Sequence, residues 1–301
     1  MKKPPEGTID SHQHAFWWGR DDAGLVRDMD EHGIALAWLL TWEIPPHSAH
    51  PVTYANAAKV LNPARTRPDG THPGIVLEDL LVAHRNYPGR FVLGYCPDPL
   101  HPHAPQLFES ACDMYGVRVC GEWKFRIPFD DPRCLELYRA AGRRQAPVVL
   151  HLDVPNLPPA GGDYAPLWYG GTVAHLERAL QACPDTIFIG HAPGFWRELY
   201  DDSDRRAEVY PDGPATGNGR IETLLARYPH LYADLSADSA LVALKRDPAR
   251  AADFLNRHRD RLLFARDYYG TELHEFLSTL PLEEETVRLI YRGNAARLVP
   301  V

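Results

Sequence analysis

Cysteine is scarce in this chain of 301 residues: there are five (Cys96, Cys112, Cys120, Cys134, Cys183), none in C-x-x-C spacing. An odd number without paired spacing argues against a disulfide framework or a zinc ribbon and fits a reducing compartment. Positive charge is also short, 32 Lys and Arg against 40 Asp and Glu for a net charge of −8. Without a basic stripe to displace counterions, nucleic-acid binding is not expected as the main activity. No apolar run approaches the ~20 residues a membrane span needs. No apolar segment follows Lys2-Lys3, so a signal peptide is not expected either. The chain is read as cytoplasmic, with a small-molecule partner and neither nucleic acid nor membrane.

What is present is an ordinary globular composition, 45% hydrophobic and 24% charged, enriched in histidine at 15 residues. Strand-like apolar runs alternate with helix-like segments throughout. The runs are 8–12, 35–40, 91–95, 117–120, 148–151, 187–190, 231–235 and 262–265. Helical spacing is expected over 24–32, 75–87, 104–115, 131–144, 172–182, 221–228, 238–258 and 283–298. Eight strand–helix units of roughly 38 residues predict a single-domain α/β fold over 1–301, a (β/α)₈ TIM barrel. An open doubly wound sheet is the alternative, but no glycine-rich phosphate loop follows the first run. Proline- and glycine-rich stretches at 153–171 and 193–220 follow strands, where barrel loops carry function. Their aromatic residues, Trp168, Tyr169, Phe195, Trp196, Tyr200 and Tyr210, either cover an apolar substrate or pack a neighbouring subunit. The acidic run 201–204 reads as a solvated loop tip.

His12 and His14 stand two apart at the end of the first run, so both imidazoles can face one ion. That pair alone is weak, because His101 and His103 repeat the spacing and read as surface residues. The remaining pattern strengthens it: His151 and His191 each close a strand-like run, and Asp267 follows the eighth. Any one of them can be a satisfied core residue. In a barrel, however, these strand ends converge on one mouth, giving three or four nitrogen and oxygen ligands with an open position. Such a set suits zinc, and manganese or iron also fit.

In the order Ile9-Asp10-Ser11-His12-Gln13-His14, Val148–His151, Ile187–Ala192, Asp234-Leu235-Ser236, Leu263–Asp267 and Arg292–Leu298, the chain resembles the amidohydrolase superfamily. The likeness is to its amidohydrolase-related branch of metal-dependent barrel hydrolases and decarboxylases. The resemblance implies metal ligation by His12, His14, His151 and Asp267, with Glu122 as a further ligand. It gives His191 the role of facing an activated water, with Asp267 as a second proton carrier. Glu122 and Lys124 share one face of a strand, so a neutralising Glu122–Lys124 pair is the alternative. Lys124, Arg126 and Arg266 are candidate contacts for a substrate carboxylate.

Two departures stand out. Ala265-Arg266 replaces the small pair usual before the aspartate, and Tyr268-Tyr269 replaces the Trp-Pro that often follows it. The implied function is hydrolysis of a lactone, ester or amide by a metal-activated water, zinc first and manganese second. The alternative is non-oxidative decarboxylation of an aromatic or unsaturated acid. A homodimer is a family-level expectation.

Overall fold

The structure is a computed structural model that describes residues 3–153, 168–202 and 208–300. Residues 154–167 and 203–207 of the two long loops, including half of the acidic run, lie outside the described residues. Eight short parallel strands form the frame: β1 (Thr8–Gln13), β2 (Ile34–Leu40), β3 (Phe91–Gly94), β4 (Cys120–Trp123), β5 (Val148–His151), β6 (Phe188–His191), β7 (Leu231–Asp234) and β8 (Leu262–Leu263). β1, β2 and β3 pair in one ladder and β4 to β8 in another.

Backbone hydrogen bonds join the two ladders at both seams. Arg118 N–H donates to Leu93 O (2.9 Å) and Tyr95 N–H to Val119 O (2.9 Å). On the other side Ser11 N–H donates to Phe264 O (3.0 Å) and Asp267 N–H to His12 O (2.9 Å). The molecule is a TIM barrel, and its strand ends face one mouth.

The strands read as near-continuous apolar runs because both of their faces are covered. Leu36, Trp38 and Leu40 of β2 point inward with Ile9, Val92, Val149, Ile189 and Leu263. Ala37 and Leu39 of the same strand join the layer under the helices. Helix ends follow local chemistry: Asp21 caps α1 (Asp22–Glu31) by accepting from Gly24 N–H (2.8 Å). Asp131 caps the helix Pro132–Arg143, which has proline in its first turn.

One expected boundary needs correction. The fourth strand lies at Cys120–Trp123 rather than 117–120, so Glu122 sits inside it. The helices expected over 238–258 are two, Ala237–Lys245 and Pro248–Arg257, the second restarted by Asp247 and Pro248. After β2 the chain forms an antiparallel pair, Trp42–Glu43 with Gly74–Ile75, enclosing α2 (Pro51–Val60). Neither element is expected from the sequence.

Candidate active site

The mouth collects seven side chains from six strands. His12 comes from β1 with His14 just past it, and Glu122 from β4. His151, His191 and Asp234 end β5, β6 and β7, and Asp267 follows β8. None is more than 8% exposed. The register sets His151 directly beside His191, so their rings meet.

Two donor groups share Glu122. On one side His14 Nε2 lies 3.6 Å from Glu122 Oε2 and 3.5 Å from Asp267 Oδ1. His12 Nε2 lies 4.0 Å from that same Asp267 oxygen and 3.9 Å from Glu122 Oε1. On the other side Glu122 Oε1 is 2.6 Å from His151 Nδ1 and 2.7 Å from His191 Nε2, and these nitrogens are 3.0 Å apart. The far ring atoms are held as well. His12 Nδ1 bonds Asp234 Oδ2 (2.9 Å), His14 Nδ1 bonds Leu40 O (2.9 Å), His151 Nε2 bonds Asp153 Oδ2 (3.0 Å) and His191 Nδ1 bonds Ser236 Oγ (3.1 Å). Partners of this kind fix ring orientation around a metal.

The residues fit a divalent cation. His12 Nε2, Glu122 Oε2 and Asp267 Oδ1 are buried without a hydrogen-bond partner, although such groups are normally satisfied. Separations of 3.5–4.0 Å among their group approach the ~3.3 Å edge of a tetrahedron with ligands ~2.0–2.1 Å from its centre.

The charges are split by their surroundings. Burial lowers the His14 imidazole to about 3 and that of His191 to about 4. Burial acts the same way on His12, but the carboxylates of Asp267, Asp234 and Glu122 outweigh it and raise the group to about 9. Burial would raise Glu122, yet Lys124, His151 and His191 hold it well below the usual carboxylate range. Asp267, pushed chiefly by burial and by the Glu122 charge, rises to about 7.

Above this cluster lies a cavity of about 430 Å³, walled by Trp17, Trp18, Trp42, Tyr169, Tyr210 and Tyr268 and floored by His151, His191 and Asp267. Lys124 lines it, its ammonium 4.3 Å from the Trp42 ring centre and 5.5 Å from that of Tyr169. The other two basic candidates stand elsewhere. Arg126 does not line the cavity, and its guanidinium lies over Trp168. Arg266 is buried and directed away from the cavity, toward Asp10 and Asp28. Its assignment to substrate is corrected, because those carboxylates already occupy it. His101 and His103 are exposed, as expected of surface residues.

The loop aromatics divide. Tyr169 and Tyr210 wall the cavity, whereas Phe195 and Trp196 are fully buried in the core. Asp234 and Asp153, which hold His12 and His151, are absent from the sequence-based site. Asp234 carries the same mark as the chosen histidines, a polar residue ending the apolar run Leu231-Tyr232-Ala233.

A family model described as amidohydrolase matches residues 9–301. The chain belongs to the amidohydrolase family. Members of this family are metal-dependent enzymes. No curated protein matches the chain.

Among solved structures this amidohydrolase resembles an uncharacterized TIM-barrel protein from Bordetella bronchiseptica (19% identity, TM-score 0.59, 92% of this chain and 82% of that one). It also resembles a 2,6-dihydroxybenzoate decarboxylase from Rhizobium (16% identity, TM-score 0.58, 98% of each chain). A third likeness is to a dihydroxybenzoic acid decarboxylase from Polaromonas sp. JS666 with bound manganese (16% identity, TM-score 0.55, 98% of this chain and 97% of that one). At these identities the likeness concerns the fold. No described helix is long and apolar enough to cross a membrane.

Proposed function

We propose that this amidohydrolase is a metal-dependent hydrolase of a small, flat lactone, ester or amide that carries a carboxylate. The observation that carries the reading is the seat of Lys124, a cation among aromatic faces with no carboxylate in salt-bridge range among the described residues. In the same cavity as His151, His191 and Asp267, it offers a substrate carboxylate a cationic contact, so that another bond of the substrate can lie over the donors. His12, His14, Asp267 and one oxygen of Glu122 would hold one ion. The other Glu122 oxygen, with His151 and His191, would hold a second. Zinc is proposed first and manganese second, since both accept imidazole and carboxylate.

When bound, a divalent ion supplies Lewis acidity, polarising a carbonyl and lowering the pKa of water toward ~7. The chain's own residues do the rest. Glu122 stays ionised between the two donor groups. Asp267, at the cavity floor, takes a proton from the attacking water and returns it to the leaving oxygen or nitrogen. Trp42 and Tyr169 hold the ring of the substrate flat beside Lys124.

A second reading, decarboxylation of an aromatic acid, is favoured by the six aromatic side chains around the cavity. Turnover in ¹⁸O-water separates the two, using zinc- or manganese-loaded protein with aryl lactones and amides bearing a carboxylate, and with hydroxybenzoic acids. Hydrolysis places one solvent oxygen in the product acid or carboxylate and releases no CO₂. CO₂ release without oxygen incorporation would replace the first reading by the second.

A further inference from the structure

We infer that Arg266 is a positioning residue, which fixes the direction in which Asp267 presents its carboxylate to the donor cluster. The inference rests on the metal-site reading above and concerns a residue that touches neither the donors nor the cavity.

Arg266 Nε lies 2.7 Å from Asp10 Oδ2 while its own backbone N–H donates to Asp10 Oδ1 (2.9 Å), so one residue grips both oxygens of one carboxylate. Its NH1 lies 2.8 Å from Asp28 Oδ2 of α1 and donates to Gly270 O (3.2 Å) across the turn that follows Asp267. The three side chains are at most 5% exposed, so water does not substitute for any of these contacts. Both carboxylates have further partners: Asp10 accepts from Gln13 Nε2 (2.9 Å) and from His12 N–H (3.3 Å), and Asp28 from Arg20 NH1 (2.9 Å).

The geometry explains why such a clamp matters at this place. Asp267 has φ +56°, a left-handed conformation that an aspartate adopts at a cost and keeps only when its surroundings impose it. Its N–H is held by His12 O (2.9 Å) and its carbonyl by the Trp17 indole. The residue before it is locked to β1 and α1 through the guanidinium, and the residues after it through Gly270 and through Tyr268 O, which accepts from Gln13 Nε2 (2.7 Å). Asp10 precedes His12 by two residues on β1. The same guanidinium therefore ties together the strand ends that carry His12, His14 and Asp267. A planar fork with several fixed donors can do this. A lysine supplies the charge without the two-point grip.

The test uses the full chain, stripped of metal and titrated with Mn(II), followed by calorimetry and by the Mn(II) electron paramagnetic resonance spectrum. Arg266→Lys is expected to weaken Mn(II) binding by about 10- to 100-fold, the range for outer partners of metal ligands, and to alter the spectrum. Asp28→Asn, which leaves the Asp10 grip in place, is expected to lower the melting temperature of the metal-free protein while keeping Mn(II) affinity within about threefold. That contrast is one a merely structural role would not produce. Arg266→Lys binding Mn(II) with parental affinity and spectrum overturns the inference, as does an equal loss of affinity in both variants. If the parent chain itself takes up no Mn(II) or Zn(II), the metal-site reading fails first and takes this inference with it.

Discussion

His191 and Asp267 stand within one cluster yet differ in how their atoms are engaged. Both nitrogens of His191 are taken, Nε2 by Glu122 and His151 and Nδ1 by Ser236, and burial lowers its basicity to about 4. Asp267 keeps one oxygen unpartnered, faces the cavity and holds its proton up to about 7. On the reading proposed above, His191 is a member of the donor group and Asp267 the proton carrier; the sequence reading gives His191 the water-facing role, with Asp267 as a second proton carrier. Two variants separate these accounts. Asp267→Asn is expected to cut kcat by about 10²- to 10⁴-fold, the range for a lost general acid–base. His191→Asn is expected to lower the metal content measured by elemental analysis, since it removes a donor atom. Full metal content with collapsed turnover in His191→Asn would return the proton-carrier role to the imidazole.

Elements are coupled to the site by how closely they approach, and β6 gives the sharpest case. A Cβ on Gly190, one residue before His191, would enter the ring of Phe195 in the short helix Pro193–Trp196. Phe195 is fully buried, so the ring cannot swing aside. Gly190→Ala is therefore expected to destabilise the fold by about 2 kcal/mol, as overpacking in a filled core does, seen as a lower urea midpoint. An unchanged midpoint would mean that the helix can lift from the strand. At this scale the sequence is legible where an apolar run ends in one polar residue, as at His151, His191 and Asp267. The inward face then dictates the polar end. It is not legible where direction matters more than position. Arg266 beside Asp267 reads as a mouth residue, but its guanidinium runs outward to buried carboxylates 256 and 238 residues earlier in the chain, a pairing no local pattern announces. α2 is likewise hidden, since its apolar residues form no one-sided stripe, and β4 is misplaced because Val117-Arg118-Val119-Cys120 is the more strand-like stretch.

For the whole molecule, the donor cluster is a junction: β1, β4, β5, β6 and the turn after β8 all send a side chain to it. Without a cation, Glu122, Asp234 and Asp267 stand buried close together, and Asp267 is pushed to about 7 in part by the charge of Glu122. A bound divalent ion would offset that repulsion and link both ladders of the barrel at one point. Binding to the native state alone stabilises it by about 2.7 kcal/mol at a free ion concentration 100 times the dissociation constant. At ~2.1 cal/mol/K of unfolding entropy per residue, a chain of 301 residues moves its melting temperature by roughly 1.5–2 °C for each kcal/mol. Removing the ion with a chelator should thus lower the melting temperature by about 4–5 °C under those conditions, and adding zinc or manganese should restore it. The same chelator should leave Glu122→Gln nearly unmoved, because that change removes the carboxylate shared by the two donor groups. A parent protein whose melting temperature ignores verified metal removal would show that the barrel closes on hydrogen bonds alone and that the cluster is a buried network of paired acids and imidazoles.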